Sequence, residues 1–307
     1  MNSQVELSVV IPVYNGEDFI KSTIESVIFH SGGFSVECIV IDDGSEDKTP
    51  EILESFGNKI RTYRQDNAGE STAVNHGVQV ALGSYVVVVS ADDPVFTPKL
   101  FAGVSDYFKG NPSVVAWYPD WQVIDQNGRV LRKVHLPKYD FMDLFSKNKV
   151  LPGPGTWIRR SAALAIGGRQ SKWKYVGDYD FWLRLSRFGV LEHRTGVLAQ
   201  WRKHAKSTSI SERGPQMANE RTAVIDEFIS NYRKELTAKE ISLARAHASY
   251  LAARLGFFSR KVNSRLLLIH SLKLDIRVVK TIRPHEALFM LSFPISKILL
   301  DFLSKLR

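Results

Sequence analysis

Short apolar segments alternate with helical patterns over the first third of the chain. Leu7–Ile11, Cys38–Ile41 and Tyr85–Val89 are apolar almost throughout, whereas the apolar residues of 19–28 recur at helical spacing. Strands that are apolar along their whole length are buried on both faces, and strands that alternate with helices form parallel sheets. The pattern predicts an α/β fold with a mainly parallel central sheet flanked by helices, in which Tyr85–Val89 is a central strand.

Local signals mark the boundaries of further elements. Thr49 and Pro50 predict a helix start, with a capping hydroxyl and a proline in the first turn. Another helix is predicted over 71–82. Val114–Trp117 is strand-like, and 123–130 predicts a hairpin around an Asn-Gly turn.

Ligands of open parallel sheets bind at the carboxyl ends of the strands. The polar segments that follow Ile11, Ile41 and Val89 are therefore expected to line one crevice. The first of them runs from Pro12 to Glu17 and presents Tyr14, whose ring can stack on a flat base. The alternative is an ordinary turn into a helix, with Asn15 of this segment as its N-cap.

The second strand ends in the carboxylates Asp42 and Asp43, which precede a glycine turn. A carboxylate there can accept a hydrogen bond from the imide N–H of a uracil or from a ribose hydroxyl. The alternative is plain turn chemistry, since Asp, Gly and Ser all favour turns.

Asp92 and Asp93 follow the Tyr85–Val89 strand. Two acids beside an apolar core are costly unless a cation or hydrogen-bond donors compensate them. Mg²⁺ and Mn²⁺ prefer oxygen ligands, typically one or two carboxylates together with substrate phosphates. We therefore expect a Mg²⁺ or Mn²⁺ site here, in preference to a loop pair that caps a helix after Pro94.

Asp178 precedes a helix predicted to begin at Asp180. A carboxylate at such a junction can point into a site and act as a general base, provided that it reaches the proton it takes. The alternative is a helix N-cap, which either aspartate would fill.

A cationic segment follows the strand-like run 197–199. It contains Arg202, Lys203 and His204, which could clamp a diphosphate, with the imidazole as a further metal ligand. The alternative is a structural histidine. Separately, we consider three tryptophans as candidates for stacking on a sugar or for core packing: Trp157, Trp173 and Trp182.

Composition limits the classes of protein. With 307 residues, 44% hydrophobic and 24% charged, the chain is a globular protein of one large domain and a smaller appendage, not a disordered or collagen-like chain. A single cysteine, Cys38, excludes a disulfide framework and a Cys-based zinc site, and it fits a reducing compartment. The N-terminus shows no basic region followed by an apolar stretch, so we expect no secretory signal and a cytoplasmic protein.

The net charge of +9 is concentrated in the last third. Residues 217–307 hold 16 Lys and Arg against 8 Asp and Glu, whereas the remainder is nearly neutral. The excess indicates either an anionic partner or a solvated helical face. Nucleic acid is disfavoured as that partner, because the segment lacks interleaved exposed aromatic residues.

Four helical patterns follow residue 211, which predicts a first domain over 1–211 and a helical, basic region over 212–307. The last pattern, 284–306, is amphipathic, contains Pro294 and carries charges that a membrane-spanning helix would not have. It predicts either peripheral contact with the inner face of the cell membrane or a helix packed on the first domain or in a dimer interface.

Taken together and in this order, the segments resemble the family-2 glycosyltransferases, which have the GT-A nucleotide-sugar-binding fold. The resemblance spans about Leu7–Ser209 and rests on residues 8–16, 40–45, 67–69, 75–77, 91–93, 158–161, 167–168, 177–184, 202–204 and 209. It implies a role in the assembly of bacterial surface polysaccharides.

The resemblance also implies roles for individual residues. The residues that would hold the base and ribose are Pro12, Tyr14, Asn15, Glu17 and Asp42, and Asn67 and Gly69 would lie near the nucleotide. Asp92 and Asp93 match the metal motif of the family, and Asp178 matches its catalytic base. Arg202 and His204 would touch the metal or the diphosphate. The chain departs from the family pattern at Ser90 and Gly177, where the family often has acids.

The implied reaction is a single displacement with inversion, from a nucleotide-diphospho-sugar, by resemblance a UDP-sugar, to a hydroxyl of a lipid-linked or cell-surface glycan. The alternative is a nucleotide-sugar-binding protein without transfer activity. A dinucleotide-binding oxidoreductase would need Gly-x-Gly-x-x-Gly after the first strand, where this chain has Pro12–Gly16. A nucleotidyltransferase would need a glycine- and lysine-rich phosphate loop there.

Overall fold

The structure is a computed structural model that describes residues 5–147, 152–204, 214–259, 264–280 and 282. The chain divides into two compact units, Met1–Tyr139 with Val150–Ser207 and Asp140–Lys149 with Thr208–Arg307. The predicted domain boundary at 211–212 lies outside the described residues, and so does the predicted amphipathic helix over 284–306.

The first unit is built on one sheet, which has eight strands within the described residues. The strands are β1 Leu7–Val13, β2 Val36–Asp42, β3 Arg61–Arg64, β4 Tyr85–Val88, β5 Val114–Ile124, β6 Val130–Val134, β7 Trp157–Arg159 and β8 Val190–Arg202. Their order is β3-β2-β1-β4-β7-β5-β6, with β8 paired to β5. The pairs among β1, β2, β3 and β4 are parallel, as is β5 with β8, whereas β6 and β7 run antiparallel to their neighbours. The predicted α/β fold with a central β4 is confirmed.

The helices of this unit are α1 Ile20–His30, α2 Thr49–Glu54, α3 Glu70–Val80, α4 Val104–Gly110, α5 Arg160–Ala165 and α6 Gly177–Leu185. Apolar residues at helical spacing bury one face of α1 and α3 against the sheet. The approach of α3 to β1 requires Gly77, because a Cβ there would lie 2.2 Å from Cγ1 of Val10. Val10 is fully buried, and burial of such a side chain contributes roughly 1.5–3 kcal/mol.

Two predicted helix starts differ from the structure. Thr49 lies inside α2 and does not cap it; its hydroxyl instead accepts a hydrogen bond from the backbone N–H of Gly16 at 2.9 Å. The turn after β1 is thereby tied to the turn after β2. The second difference is α6, which begins at Gly177, so Asp178 lies in the first turn of the helix and not before it.

The second unit contains the helices α7 Gly214–Asn231, α8 Ala238–Ser259 and α9 Ser264–Leu274. Ala246, Tyr250 and Ala253 of α8 pack with Leu268 of α9 in a small apolar core. The Ser271 hydroxyl of α9 donates to the Ala246 carbonyl at 2.6 Å, which satisfies both polar groups inside that core. None of the helices in the described part of the chain is long and apolar enough to cross a membrane.

Candidate active site

The predicted crevice lies where several strands end at one edge of the sheet. Because β7 is antiparallel to both β4 and β5, the strands β5 and β8 run in the same direction as β1. The last residues of these strands therefore share one edge with the ends of β2 and β4; they are Val13, Asp42, Val88, Ile124 and Arg202.

Asn15 joins the segments that follow β1 and β2. Its backbone adopts a left-handed conformation with φ of 50°. The backbone N–H donates to the Ser45 hydroxyl at 2.9 Å, and the side-chain oxygen accepts from the Glu46 N–H at 2.8 Å. Asn15 is thus not a helix cap, since the N-cap of α1 is Phe19. The neighbouring Tyr14 is 50% exposed.

Glu17 makes a second link between the same two turns. Its N–H donates to Asp47 Oδ2 at 3.0 Å, and its carboxylate accepts from the Lys48 N–H at 3.1 Å. Burial raises the pKa of Asp47, but hydrogen bonds from Thr49 and from the Glu17 backbone outweigh burial and lower it. The turns that follow β1 and β2 are therefore held together by a network of hydrogen bonds.

Asp42, at the end of β2, is buried and paired with a cation. One oxygen accepts from the Ser45 N–H at 2.9 Å and the other from Arg64 Nη1 at 2.5 Å. Each carboxylate oxygen has a second lone pair, so these contacts leave acceptor capacity. Asp42 and Arg64 both line a cavity of about 350 Å³.

Asp43 holds the Asn67–Gly69 loop, a function that the sequence analysis missed. The carboxylate accepts from the N–H groups of Ala68 at 3.0 Å and Gly69 at 2.8 Å, and from Gln65 Nε2 at 2.8 Å. Gly69 needs its positive φ of 88° to turn the chain into α3. The signal in the sequence that could have indicated this role of Asp43 is its position directly after Asp42 at the end of β2.

Asp92 and Asp93 lie together with Arg202 and His204, as the cationic segment suggested. Asp92 Oδ2 is 2.7 Å from His204 Nε2, and Asp93 Oδ1 accepts from the Arg202 N–H at 2.6 Å. Arg202 Nε also donates to the Asp92 carbonyl at 2.8 Å. Burial and the adjacent Asp92 carboxylate raise the pKa of Asp93 well above its usual range, although the Arg202 N–H and the Ser90 hydroxyl oppose that rise.

This acidic pair fits a divalent cation in part. Within the residues that the structure describes, no three His, Cys, Asp or Glu side chains converge as a preformed metal site. Asp93 is nevertheless 5% exposed beside a second carboxylate, an arrangement that a cation would stabilise. Asp92, Asp93 and His204 could supply the protein ligands, with substrate phosphates completing the shell.

One cavity of about 790 Å³ brings several predicted residues together. Its lining includes Asn67, Gly69, Ser90, Asp93 and Asp178. The Gly153–Thr156 loop, Trp201 and the segment Ser171–Tyr175 form further parts of the wall. The cavity therefore joins Asp93 to the predicted base. The other predicted site residues are absent from its lining: Pro12, Tyr14, Asn15, Glu17, Asp42, Asp92, Arg202 and His204.

The two aspartates of α6 have different surroundings. Asp178 is partly buried on the cavity wall, and its Oδ1 accepts from the Tyr179 N–H at 2.7 Å. Asp180 is buried and pairs with Arg184, whose Nε and Nη2 lie 2.9 and 2.7 Å from Oδ2. Asp180 therefore has a structural partner, whereas Asp178 faces the cavity.

The three candidate tryptophans differ in burial and in whether they line the cavity. Trp157 is fully buried, and its indole N–H donates to the Leu100 carbonyl at 2.8 Å, so the prediction that it could stack on a sugar is wrong. Trp173 and Trp182 both line the cavity. Trp182 is only 4% exposed, and its ring centre lies 5.0 Å from that of Phe181.

The sequence of the chain matches that of a known protein family. The sequence profile of glycosyl transferase family 2 matches residues 8–167, a little over half of the chain. An uncharacterized glycosyltransferase of Rickettsia typhi is 26% identical over 261 residues, which cover 83% of this chain and 80% of that protein.

Two solved structures share the fold. The crystal structure of S. aureus TarS 1–349 in complex with UDP-GlcNAc has a TM-score of 0.60 and 18% identity, and the match covers 87% of this chain and 79% of that one. The mannosyltransferase PcManGT of Pyrobaculum calidifontis, in complex with GDP-Man and Mn²⁺, has a TM-score of 0.53 and 12% identity, with 94% and 79% covered. At these identities the likeness shows the fold alone.

Proposed function

The chain belongs to glycosyltransferase family 2 and is a glycosyltransferase, and on that premise we propose that it moves a sugar from a UDP-sugar to a hydroxyl of a lipid-linked or cell-surface glycan. The observation that carries the proposal is that Asp93 and Asp178 line the same cavity. Its volume of about 790 Å³ lies in the range of small-molecule sites.

The donor nucleotide is assigned to the polar turns after β1 and β2. The half-exposed Tyr14 ring offers a face to the base, and Asp42 retains acceptor capacity for an imide or ribose hydroxyl. Asn15 and Glu17 hold these turns in place. Uracil is favoured as the base because TarS, a structural neighbour, binds UDP-GlcNAc, although PcManGT binds GDP-Man.

The diphosphate is assigned to the end of β8, beside Asp92 and Asp93. A bound Mg²⁺ or Mn²⁺ would neutralise charge on the leaving diphosphate, and PcManGT contains Mn²⁺. In this chain Asp92, Asp93 and His204 would hold the ion, and the Arg202 guanidinium adds a fixed positive charge next to them.

Asp178 is assigned as the general base. It takes the proton of the acceptor hydroxyl, whose oxygen forms a bond to the anomeric carbon as the bond from that carbon to the diphosphate oxygen breaks. The product is a glycoside of inverted configuration and a nucleoside diphosphate. Asp178 suits this role because it lies on the cavity wall, whereas Asp180 is paired with Arg184.

Asp178→Asn tests the base. General-base assistance is worth ~10²–10⁴ in rate, so transfer should fall by that factor while calorimetry shows unchanged binding of UDP-GlcNAc in the presence of Mn²⁺. Asp106→Asn, an exposed aspartate of α4, is the matched control and should retain full activity. Transfer by Asp178→Asn at the parent rate would refute the assignment.

Asp92→Ala and Asp93→Ala test the metal. Each should abolish the part of donor binding that depends on Mn²⁺, as measured by calorimetry with and without the ion. Donor binding that is equal in the parent and both variants under both conditions would remove the metal from the proposal.

A further inference from the structure

A cationic segment forms part of the cavity wall directly before the predicted base. Residues 169–175 read Arg-Gln-Ser-Lys-Trp-Lys-Tyr and contain three cations and no acid. Lys172 and Lys174 are exposed, line the cavity, and precede Asp178 by six and four residues. They therefore share the wall of one cavity with Asp178, which the acceptor hydroxyl must reach.

This segment is anchored at both ends. At its start the Asn75 side chain and the Arg169 backbone exchange two hydrogen bonds, of 2.7 and 2.8 Å. At its end Gly177 lies against α3, since a Cβ at Gly177 would be 2.9 Å from the Ser71 hydroxyl. The two lysines are thus carried on a loop of defined position.

The balance of charge on the cavity wall is positive near these lysines. Arg169 pairs with Glu70 at 2.8 Å, so those two charges offset each other. Asp93 is assigned with Asp92 to the divalent cation, which would offset its charge. Among the other charged residues that the structure describes in the lining, Lys172 and Lys174 stand against one acid, Asp178.

Aromatic rings alternate with the lysines. The Lys172 ammonium lies 4.9 Å from the centre of the Trp173 ring, and the Lys174 ammonium 5.8 Å from that of Tyr175. An aromatic face suits the C–H groups of a sugar or polyol, while an ammonium group suits phosphate as a point charge. The segment thus combines the two contacts that a phosphorylated polyol or glycan requires.

We propose that Lys172 and Lys174 bind a phosphate group of the acceptor, so that the enzyme selects an acceptor with phosphate close to the accepting hydroxyl. The proposal rests on the proposed function, because it presumes that Asp178 faces the acceptor. The donor diphosphate is assigned to Arg202 at the end of β8 and to the acidic pair that follows β4.

The test measures binding to the full chain saturated with UDP and Mn²⁺. Calorimetry compares a glycerol-phosphate oligomer, the neutral oligoglycerol of equal length and a short-chain prenyl diphosphate. The parent should bind the phosphorylated probes at least ~10-fold more tightly than the neutral one, and whichever phosphorylated probe binds better identifies a polymer or a lipid carrier as the source of the phosphate. Affinity should fall with added salt, since the contacts are exposed to solvent.

Lys172→Gln/Lys174→Gln should weaken binding of the phosphorylated probes by ~10-fold, which is the loss of about 1.4 kcal/mol expected for two exposed charge contacts. Lys59→Gln/Lys99→Gln, which removes two exposed lysines outside the cavity lining, is the control and should change nothing. Equal affinity for neutral and phosphorylated probes, no binding of the phosphorylated probes at millimolar concentration, or an equal loss in the control would each overturn the proposal.

A further measurement separates donor from acceptor. The Kd of UDP with Mn²⁺ should be the same in the parent and in Lys172→Gln/Lys174→Gln; a ~10-fold weaker Kd would show that the lysines serve the donor diphosphate and would overturn the inference. Failure of the parent chain to bind UDP-GlcNAc or to release UDP from it would instead refute the proposed function, whatever the acceptor probes show.

Discussion

The Asn75 side chain holds Arg169 by both of its backbone polar groups. Asn75 Nδ2 donates to the Arg169 carbonyl at 2.7 Å, and the Arg169 N–H donates to Asn75 Oδ1 at 2.8 Å. The two residues are 94 positions apart, so this pair fastens the loop before Asp178 to helix α3.

Asn75→Asp should loosen that loop, because the variant loses the donor and places a carboxylate against a carbonyl oxygen. Misplacement of a catalytic group by about 1 Å can cost 10²-fold, so we expect transfer to fall by ~10–100-fold. Hydrogen exchange of the amides of 169–176 should become faster. Asn58→Asp, an exposed position, controls for the added charge. Unchanged exchange and activity would show that the contact does not position the loop.

Gly168→Ala should cost more than Gly167→Ala. Both glycines have positive φ, 69° and 76°, so each alanine incurs about 1–2 kcal/mol of backbone strain. A Cβ at Gly168 would in addition lie 2.3 Å from Asn75 Oδ1 and displace the amide, whereas one at Gly167 meets open space among the described atoms. Urea unfolding should therefore give a free-energy loss larger by about 1–2 kcal/mol for Gly168→Ala. Equal losses would contradict this account.

Asp180→Asn should reduce stability more than Asp178→Asn, because Asp180 belongs to an ion pair in the interior. Arg184 is partly buried, with 11% of its side chain exposed, and besides Asp180 it donates to the carbonyls of Ile166 and Gly168, each at 2.7 Å. Removal of the countercharge from a buried ion pair typically costs about 3–5 kcal/mol. Thermal unfolding and transfer assays on both variants check this. An Asp180→Asn variant of parental stability without activity would make Asp180 the base.

Asp120→Asn should show a pH-dependent loss of stability. Burial raises the pKa of Asp120, but hydrogen bonds from the Leu136 N–H, from the His193 and His135 rings and from the Gly196 N–H outweigh it and lower the pKa to about 2. A carboxylate whose pKa is lower in the folded state stabilises the fold above its unfolded pKa of about 3.9.

The contribution of Asp120, on the order of 2–3 kcal/mol, should be complete at pH 5 and above and decline as the pH falls from about 4 to 2. The difference in unfolding free energy between Asp120→Asn and the parent, measured in urea at pH 7, 5 and 3, should therefore shrink only at the lowest pH. Asp125→Asn, in the adjacent hairpin turn, is the comparison, since Asp125 Oδ1 accepts hydrogen bonds from the nearby backbone N–H groups of Asn127 and Arg129. A difference that is the same at pH 3 and pH 7 would contradict the assignment.

The sequence by itself determined the α/β sheet, the position of β4 at its centre and the family. Apolar runs such as Leu7–Ile11 and Cys38–Ile41 became buried strands because burial imposes a local pattern that the sequence carries. The edge that holds Asp92, Asp93 and Arg202 followed from strand direction alone, since ligands bind at the carboxyl ends of parallel strands.

Only the tertiary structure decided which polar residue has which partner. It paired Asp42 with Arg64, set Asp43 to hold Gly69, and placed Asp178 on the wall of the same cavity as Asp93. Trp157 entered the core whereas Trp173 came to line the site. These outcomes depend on hydrogen bonds and packing between residues far apart in the chain, and such contacts leave no periodic signal in the sequence because each forms once, when the elements meet.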